Sequence, residues 1–118
     1  SGTLFDTCET SKDLMVEPMP PRFLREGDRV QIPVKVSNKS SGHFSGTVRL
    51  ALFDARTKDS RDALIQDQNE QSFDLKAGAS EAVFFTVSVV DGTDALRYRA
   101  TGTTIEEVVD FFSSVSTD

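Results

Sequence analysis

Apolar and polar residues alternate along much of this chain, most clearly in Arg29-Val30-Gln31-Ile32-Pro33-Val34-Lys35-Val36-Ser37. Val30, Ile32, Val34 and Val36 share one face, and Arg29, Gln31, Lys35 and Ser37 the other, as in a strand with one buried and one wet side. Pro33 lies on the polar parity and removes one ladder donor, so its nitrogen should face away from a partner, or the strand should lie on an edge. A second run, 44–54, turns Val48, Leu50 and Leu52 inward. The polar cluster Asn38-Lys39-Ser40-Ser41-Gly42-His43 between the two runs reads as the loop of an antiparallel hairpin.

Residues 54–70 break the pattern. They are charged and contain only Ala63, Leu64 and Ile65 as an apolar group, which suggests a long connection with a short strand or helical turn at 62–66. A Greek-key sandwich needs such a crossover where the chain changes sheets. A short strand then turns Phe73 and Leu75 inward, and Lys76-Ala77-Gly78-Ala79 turns the chain. Residues 81–90 form a strong strand with Val83, Phe85, Val87 and Val89 buried, which leaves Phe84 on the opposite face. Asp91-Gly92-Thr93-Asp94 makes the next turn. Residues 95–102 close a hairpin, with Leu96, Tyr98 and Ala100 inward and Arg97 and Arg99 outward.

Before the strong runs, Leu14 and Val16 point inward from a short strand. Met19-Pro20-Pro21 then imposes an extended kink, because each proline fixes φ and restricts its predecessor. Arg22-Phe23-Leu24 resumes a strand, and Glu26-Gly27-Asp28 turns into Val30. The tail 103–118 fits two templates. Ile105, Val108, Val109, Phe112 and Val115 recur at helical spacing behind a Thr104/Glu107 capping box. Ile105, Val109, Phe111 and Val115 also fit a strand, which β-branched and aromatic residues and the need for a closing edge favour. About seven strands at this spacing predict an all-β, antiparallel, immunoglobulin- or fibronectin-III-like β-sandwich. It should occupy residues 13–118 as a single domain, preceded by a linker or leftover N-terminal segment at 1–12.

Composition supports this picture. The 118 residues include nine Phe, one Tyr and no Trp, an aromatic supply suited to a packed β interior. The net charge of −6 is ordinary solubility charge and unsuited to a nucleic-acid partner. No apolar run approaches the length of a membrane helix. The first residues also lack the features of a signal peptide. The single cysteine, Cys8, allows no intrachain disulfide and no cysteine metal site, and reads as incidental.

The chemistry-bearing residues assemble into no catalytic or metal-binding pattern. His43, the one histidine, sits in a Ser/Gly loop without a nucleophile elbow. Asp54, Asp59, Asp62 and Asp67 are dense but lack the EF-hand spacing, so a solvated loop is the better reading than calcium. Asn38-Lys39-Ser40 fits a glycosylation sequon, a triplet common by chance. Glu106 and Glu107 are adjacent, which in a strand would point them to opposite faces. No catalytic, metal or cofactor residue is therefore assigned. The exposed apolar and forked side chains Met15, Met19, Arg22, Arg25 and Phe84 are the candidates for contact with another domain.

The stretch Leu14 to Asn38, with its Pro21-Arg22-Phe23-Leu24-Arg25-Glu26-Gly27-Asp28 run and an alternating strand ending in Val36-Ser37-Asn38, resembles the opening of a macroglobulin-like domain of bacterial alpha-2-macroglobulin family proteins. Ser45 to Ala55, Gln71 to Gly78 and Gly92 to Ala100 fit the same pattern, so the likeness covers most of 13–102; the tail from Thr103 departs from it. The resemblance implies a large multidomain parent, periplasmic or at the cell surface, that inhibits endopeptidases by trapping them when a bait segment is cut. It implies that this domain lies between the bait region and the thioester part. The implied partners are the neighbouring macroglobulin-like and thioester-region domains and the parent's target proteases. The thioester motif pairs a Cys with a Gln three positions on, whereas Cys8 is followed by Glu9-Thr10-Ser11, so no reactive residue carries over. The competing reading is a stand-alone immunoglobulin-like adhesion or ligand-binding module. The lack of Trp, and a single Tyr on the inward parity, supports a sugar platform poorly.

Overall fold

The structure is a computed structural model and describes residues 13–90 and 95–117. The readings made of Cys8, of segment 1–12 and of the turn 91–94 lie outside these residues. Two sheets face each other. The four-stranded sheet runs β1 (Leu14–Pro18), β3 (Arg29–Asn38), β7 (Ser80–Ser88) and β5 (Ile65–Gln66). The five-stranded sheet runs β2 (Phe23–Leu24), β9 (Val108–Thr117), β8 (Ala95–Thr104), β4 (Phe44–Asp54) and β6 (Glu70–Leu75). Seven of these strands are five residues or longer, and β2 and β5 have two residues each. One pairing departs from the expected all-antiparallel sandwich: β2 runs parallel to β9.

The inward parities are as the alternation predicts. Ile32, Val34, Val36, Val48, Leu50, Leu52, Phe73, Leu75, Phe85, Val87, Val89, Leu96, Tyr98 and Ala100 are all buried, and Val30 is half-buried against them. Burying each such aliphatic or aromatic side chain contributes about 1.5–3 kcal/mol, so the facing parities hold the sheets together. Pro33 lies in an interior strand. Its carbonyl accepts from Met19 N (2.8 Å) just past the end of β1. A residue's N and O point to the same side of a strand, so the missing donor faces the place where the neighbouring strand has already ended. Met19-Pro20-Pro21 does more than kink the chain. It carries the chain from β1 in one sheet to β2 in the other, at a corner where two residues without donors disturb no ladder.

Strand pairing corrects the two expected hairpins. β3 and β4 lie in different sheets, so 39–43 is an arch and not a hairpin turn, and β7 and β8 likewise lie in different sheets and do not pair. β6 to β7 also crosses. Of the connections between successive strands, only the turn at 105–107 joins neighbours, β8 and β9. Alternation fixes which face is buried but not which strand lies alongside. The connection 55–69 between β4 and β6 contains both of the alternatives expected at 62–66, a helical turn and a short strand. A 3-10 turn at Asp62–Leu64 buries Leu64, and β5 follows directly.

The arches are held at Asn38, which is 1% exposed. Its Nδ2 donates to Gly42 O (2.8 Å) and Leu75 O (3.0 Å). Its Oδ1 accepts from Ser40 N (2.9 Å) and Ser40 Oγ (2.6 Å), and its own N donates to Ala79 O (2.9 Å). One side chain thus joins the end of β3, the first arch and the end of β6. The sequon reading fails on the same geometry, since the amide nitrogen is buried and both of its donors are committed.

The tail is a strand, and the capping-box residues form its hairpin turn. Thr104 Oγ1 accepts from Glu106 N (3.2 Å) and Glu107 N (3.1 Å), and Thr104 N donates to Glu107 O (2.9 Å). The hydroxyl and the spacing serve a turn as well as a helix start. Glu106 and Glu107 therefore lie in this turn, and the Glu107 carboxylate accepts from Leu14 N (3.2 Å).

Asn38→Ala should lower the unfolding free energy by about 2–4 kcal/mol, because it leaves a buried carbonyl and a loop unsatisfied. Asn38→Asp, which cannot donate, should cost at least as much at neutral pH. Urea denaturation of both variants measures this.

Candidate functional site

The loop residues that suggested chemistry are used by the fold. His43 Nε2 contacts Asp74 Oδ1, and both side chains are exposed. Asp54 Oδ1 accepts from Arg56 N (2.8 Å) and Thr57 N (2.9 Å) in a turn. The Thr57 and Arg56 amides hold its carboxyl below the ordinary range. Asp62 Oδ1 accepts from Leu52 N (2.8 Å), and Asp67 occupies a positive-φ position (66°). Asp54 caps a turn and Asp62 ties the connection back to β4, so these aspartates serve separate places in the fold. Among the described residues no group of three or more His, Cys, Asp or Glu side chains could hold a metal ion.

The functional candidates are surfaces, and the structure divides the five predicted contact residues into two sets. Met15 (38% exposed), Met19 (48%) and Phe84 (49%) belong to the wet side of the four-stranded sheet. Pro33 pairs with Phe84 on β7 and accepts from Met19 on its other side, so Met19, Pro33 and Phe84 form an apolar row from just past the end of β1 across β3 to β7. Met15 lies opposite Ser37, further along the same face. Arg22 and Arg25 are exposed but flank β2 on the other sheet. The five do not form one patch.

The outer face of the five-stranded sheet is polar and charge-paired. A shallow groove there is lined by Thr47, Arg49, Glu70, Arg99, Thr101 and Thr103. Arg49 Nη2 donates to Glu70 Oε1 (3.2 Å). Arg99 grips Asp110 with two bonds, Nε to Oδ1 and Nη2 to Oδ2, each 3.1 Å, and Thr101 Oγ1 donates to Oδ1 (2.7 Å). The guanidinium of Arg99 also lies 5.2 Å from the Phe112 ring centre. Partial burial pushes the Asp110 carboxyl upward, but the hydrogen bonds from Arg99 and Thr101 and the charge of Arg99 outweigh it, and the group titrates below its usual range. On the inner side Phe111 stacks on Tyr98 (6.5 Å between ring centres, 14° between planes). Burial pushes the Tyr98 phenol up, and its hydrogen bond to Ser113 acts the other way.

The sequence reading missed the exposed apolar residues Phe23, Ile105, Val108, Phe111 and Phe112. The signal was present for the last two. Adjacent residues of a strand point to opposite faces, the logic that singled out Phe84 beside Phe85, and Phe111-Phe112 repeats it.

Residues 2–50 match the alpha-2-macroglobulin family. A search of the curated proteins gives no match. Among solved structures the chain is similar to native alpha-2-macroglobulin of E. coli (TM-score 0.73, 16% identity, 92% of this chain and 7% of that one). It is also similar to Salmonella alpha-2-macroglobulin reacted with methylamine (TM-score 0.71, 18% identity, 89% and 7%). A third likeness is to the CARDB domain of a Pyrococcus furiosus protein in complex with di-metal ions (TM-score 0.67, 18% identity, 89% and 92%). These likenesses show the fold. The chain spans only about one-fourteenth of the macroglobulin chains it matches.

Asp110→Asn should destabilise the domain by about 0.5–1 kcal/mol at pH 7, the range for a solvent-screened pair. A lowered carboxyl stabilises the fold above the unfolded-state pKa, and that contribution is lost as pH falls through the folded value. The gap between wild type and variant should therefore close below about pH 4, as urea unfolding at pH 7 and pH 3 would show.

Proposed function

We propose that this chain, an alpha-2-macroglobulin family domain, is a non-catalytic spacer that holds neighbouring domains of a larger protease-trapping polypeptide at fixed positions. The reading rests above all on the recurrence of this fold as a 7% share of two bacterial alpha-2-macroglobulin chains, together with the family match over residues 2–50. Physical arguments support it. Two sheets sharing a close-packed core make a stiff body. β1 begins at the end of the sandwich where Leu14 pairs with Asn38, and β9 runs away from the 105–107 turn at that same end. The described chain thus starts at one end and finishes at the other, which suits a unit strung in series. Rotation of whole domains about their contacts would then carry a trigger from one part of the parent to another.

In this reading the Met19–Pro33–Phe84 row, extended by Met15, receives an adjacent domain. The partners are the parent's other macroglobulin-like and thioester-region domains and, through the parent, its target proteases. The parent resides in the periplasm or at the cell surface. The reactive chemistry belongs to other domains.

The test uses the full-length parent challenged with trypsin. The wild-type parent should block cleavage of a protein substrate. Phe84→Asp in the parent should weaken that block severalfold while leaving the stability of the isolated domain within roughly 0.5 kcal/mol, as for an exposed position. A parent that leaves trypsin unhindered overturns the trap. A Phe84→Asp parent that inhibits as well as wild type overturns the assigned contact face.

A further inference from the structure

The inner side of β9 is not fully covered. Val109 and Val115 are each 7% exposed, but Phe111 between them is 39% exposed, and Ser113 is exposed too. Val108 (57%) and Phe112 (54%) lie on the outer face of the same strand. Sheets keep an edge from pairing with charges, prolines and short edge strands. β9 is ten residues long and has no Pro, Lys or Glu, and its one charge, Asp110, is tied back to Arg99 and Thr101 on β8. Among the described residues, the strand on its far side is β2, which reaches only Ser116 and Thr117. An open stretch of edge is left from Val108 to Ser114.

The direction of the backbone groups follows from the hairpin turn. Thr104 N donates to Glu107 O, which makes 104 and 107 a hydrogen-bonded pair in the β8–β9 register. Bonded pairs recur every second residue, so Val109, Phe111, Ser113 and Val115 turn their N–H and C=O groups to β8. Val108, Asp110, Phe112 and Ser114 turn theirs to the open edge.

The geometry points to residues 5–10 of this same chain as the occupant, added to the edge as a strand antiparallel to β9. The point of entry carries the argument. Asp13 O accepts from Lys39 N (2.7 Å) and Leu14 N donates to Glu107 Oε1 (3.2 Å), so the chain enters β1 beside the turn from which β9 starts. Ser11-Lys12-Asp13 then make the reversal. The four steps from Thr10 to Leu14 span up to about 13 Å, against about 10 Å between facing sheets. A segment tethered this closely meets the edge at high effective concentration. Thr3, Phe5, Thr7 and Thr10 favour a strand, and the segment has no Pro. The match to the family begins at residue 2 and not at β1, so these residues go with the domain.

The pattern of acids sets the register. Thr10 lies opposite Val108, Cys8 opposite Asp110 and Asp6 opposite Phe112, which are edge-facing positions. Shifting by one or two residues in either direction sets Asp6 or Glu9 opposite Asp110 or Phe111. In the chosen register Glu9 falls opposite Val109, at the strand's end. On the inner side Thr7 lies opposite Phe111 and Phe5 opposite Ser113, so the Phe5 ring reaches Phe111 diagonally and closes the gap. On the outer side Asp6 stands beside Phe112, whose ring centre is 5.2 Å from the Arg99 guanidinium, so opposite charges meet there. The strand leaves Ser114 and Val115 between itself and the pairs that β2 holds. It rests on β9 and the entry to β1, and stands apart from the function proposed above.

Amide hydrogen exchange of the reduced 118-residue chain, followed by NMR, should show Val108, Asp110 and Phe112 slowed roughly tenfold or more below their intrinsic rates, independently of protein concentration. Cys8→Pro removes the donor opposite Asp110 and should abolish that protection, while Val109 and Phe111, bonded to β8, stay slow. On mild oxidation, Asp110→Cys should close a disulfide with the native Cys8 roughly tenfold faster than Ser114→Cys, which lies about 13 Å further along the strand. Free exchange at 108, 110 and 112, protection that grows with concentration and so belongs to a second copy, protection that survives Cys8→Pro, or equal closure at 110 and 114 would each overturn the proposal.

Discussion

The buried amide of Asn38 is the constraint on which the rest of the sandwich depends. A sheet can bury its apolar face only if the chain brings a second sheet over it, and here the chain changes sheets repeatedly. Each crossing takes backbone polar groups across the end of a core where water is scarce, and unpaired groups there are expensive. Asn38 offers two donors and an acceptor on one short side chain. It uses them on Gly42, Leu75 and Ser40, and thereby sets the end of β3, the arch to β4 and the end of β6 in one arrangement. Its backbone N–H, bonded to Ala79 O, adds the start of β7. With this end closed, the facing valines and leucines can pack in a single register.

Much of the fold was legible because one-sided burial imposes a period of two. Val83, Phe85, Val87 and Val89 could be assigned inward from the sequence alone, and the structure buries them. Pairing was less legible. The Asn38–His43 segment is long enough either to turn a hairpin or to cross between sheets. Local composition does not separate the two, because the difference lies in contacts with Leu75 and Ala79, more than thirty residues away. Thr104 and Glu107 show the same ambiguity on a smaller scale. A hydroxyl accepting from amides two and three residues ahead is the local chemistry of both a helix start and a turn, and the long-range pairing of β8 with β9 decides between them.

The candidate surfaces divide along similar lines. Phe84 stood out because it interrupts a strong alternation. Met19 joins the same row only through Pro33, a relation between residues far apart in the chain that no sequence window contains. Arg99 reads in the sequence as an outward basic residue, yet the structure gives it to Asp110 and Phe112. That commitment leaves the outer face of the five-stranded sheet close to neutral, and the apolar contacts of the opposite face and of β9 become the more distinctive surfaces.

The parallel pairing of β2 with β9 has a mechanical consequence. Phe23 and Leu24 lie beside Ser116 and Thr117, so the point where the chain first enters the five-stranded sheet is paired directly with the end of its last described strand. Because the two strands run parallel, pulling β2 backward against β9 loads these pairs in shear and does not peel them open one at a time. Sliding β2 along β9 therefore has to break both pairs in the same step.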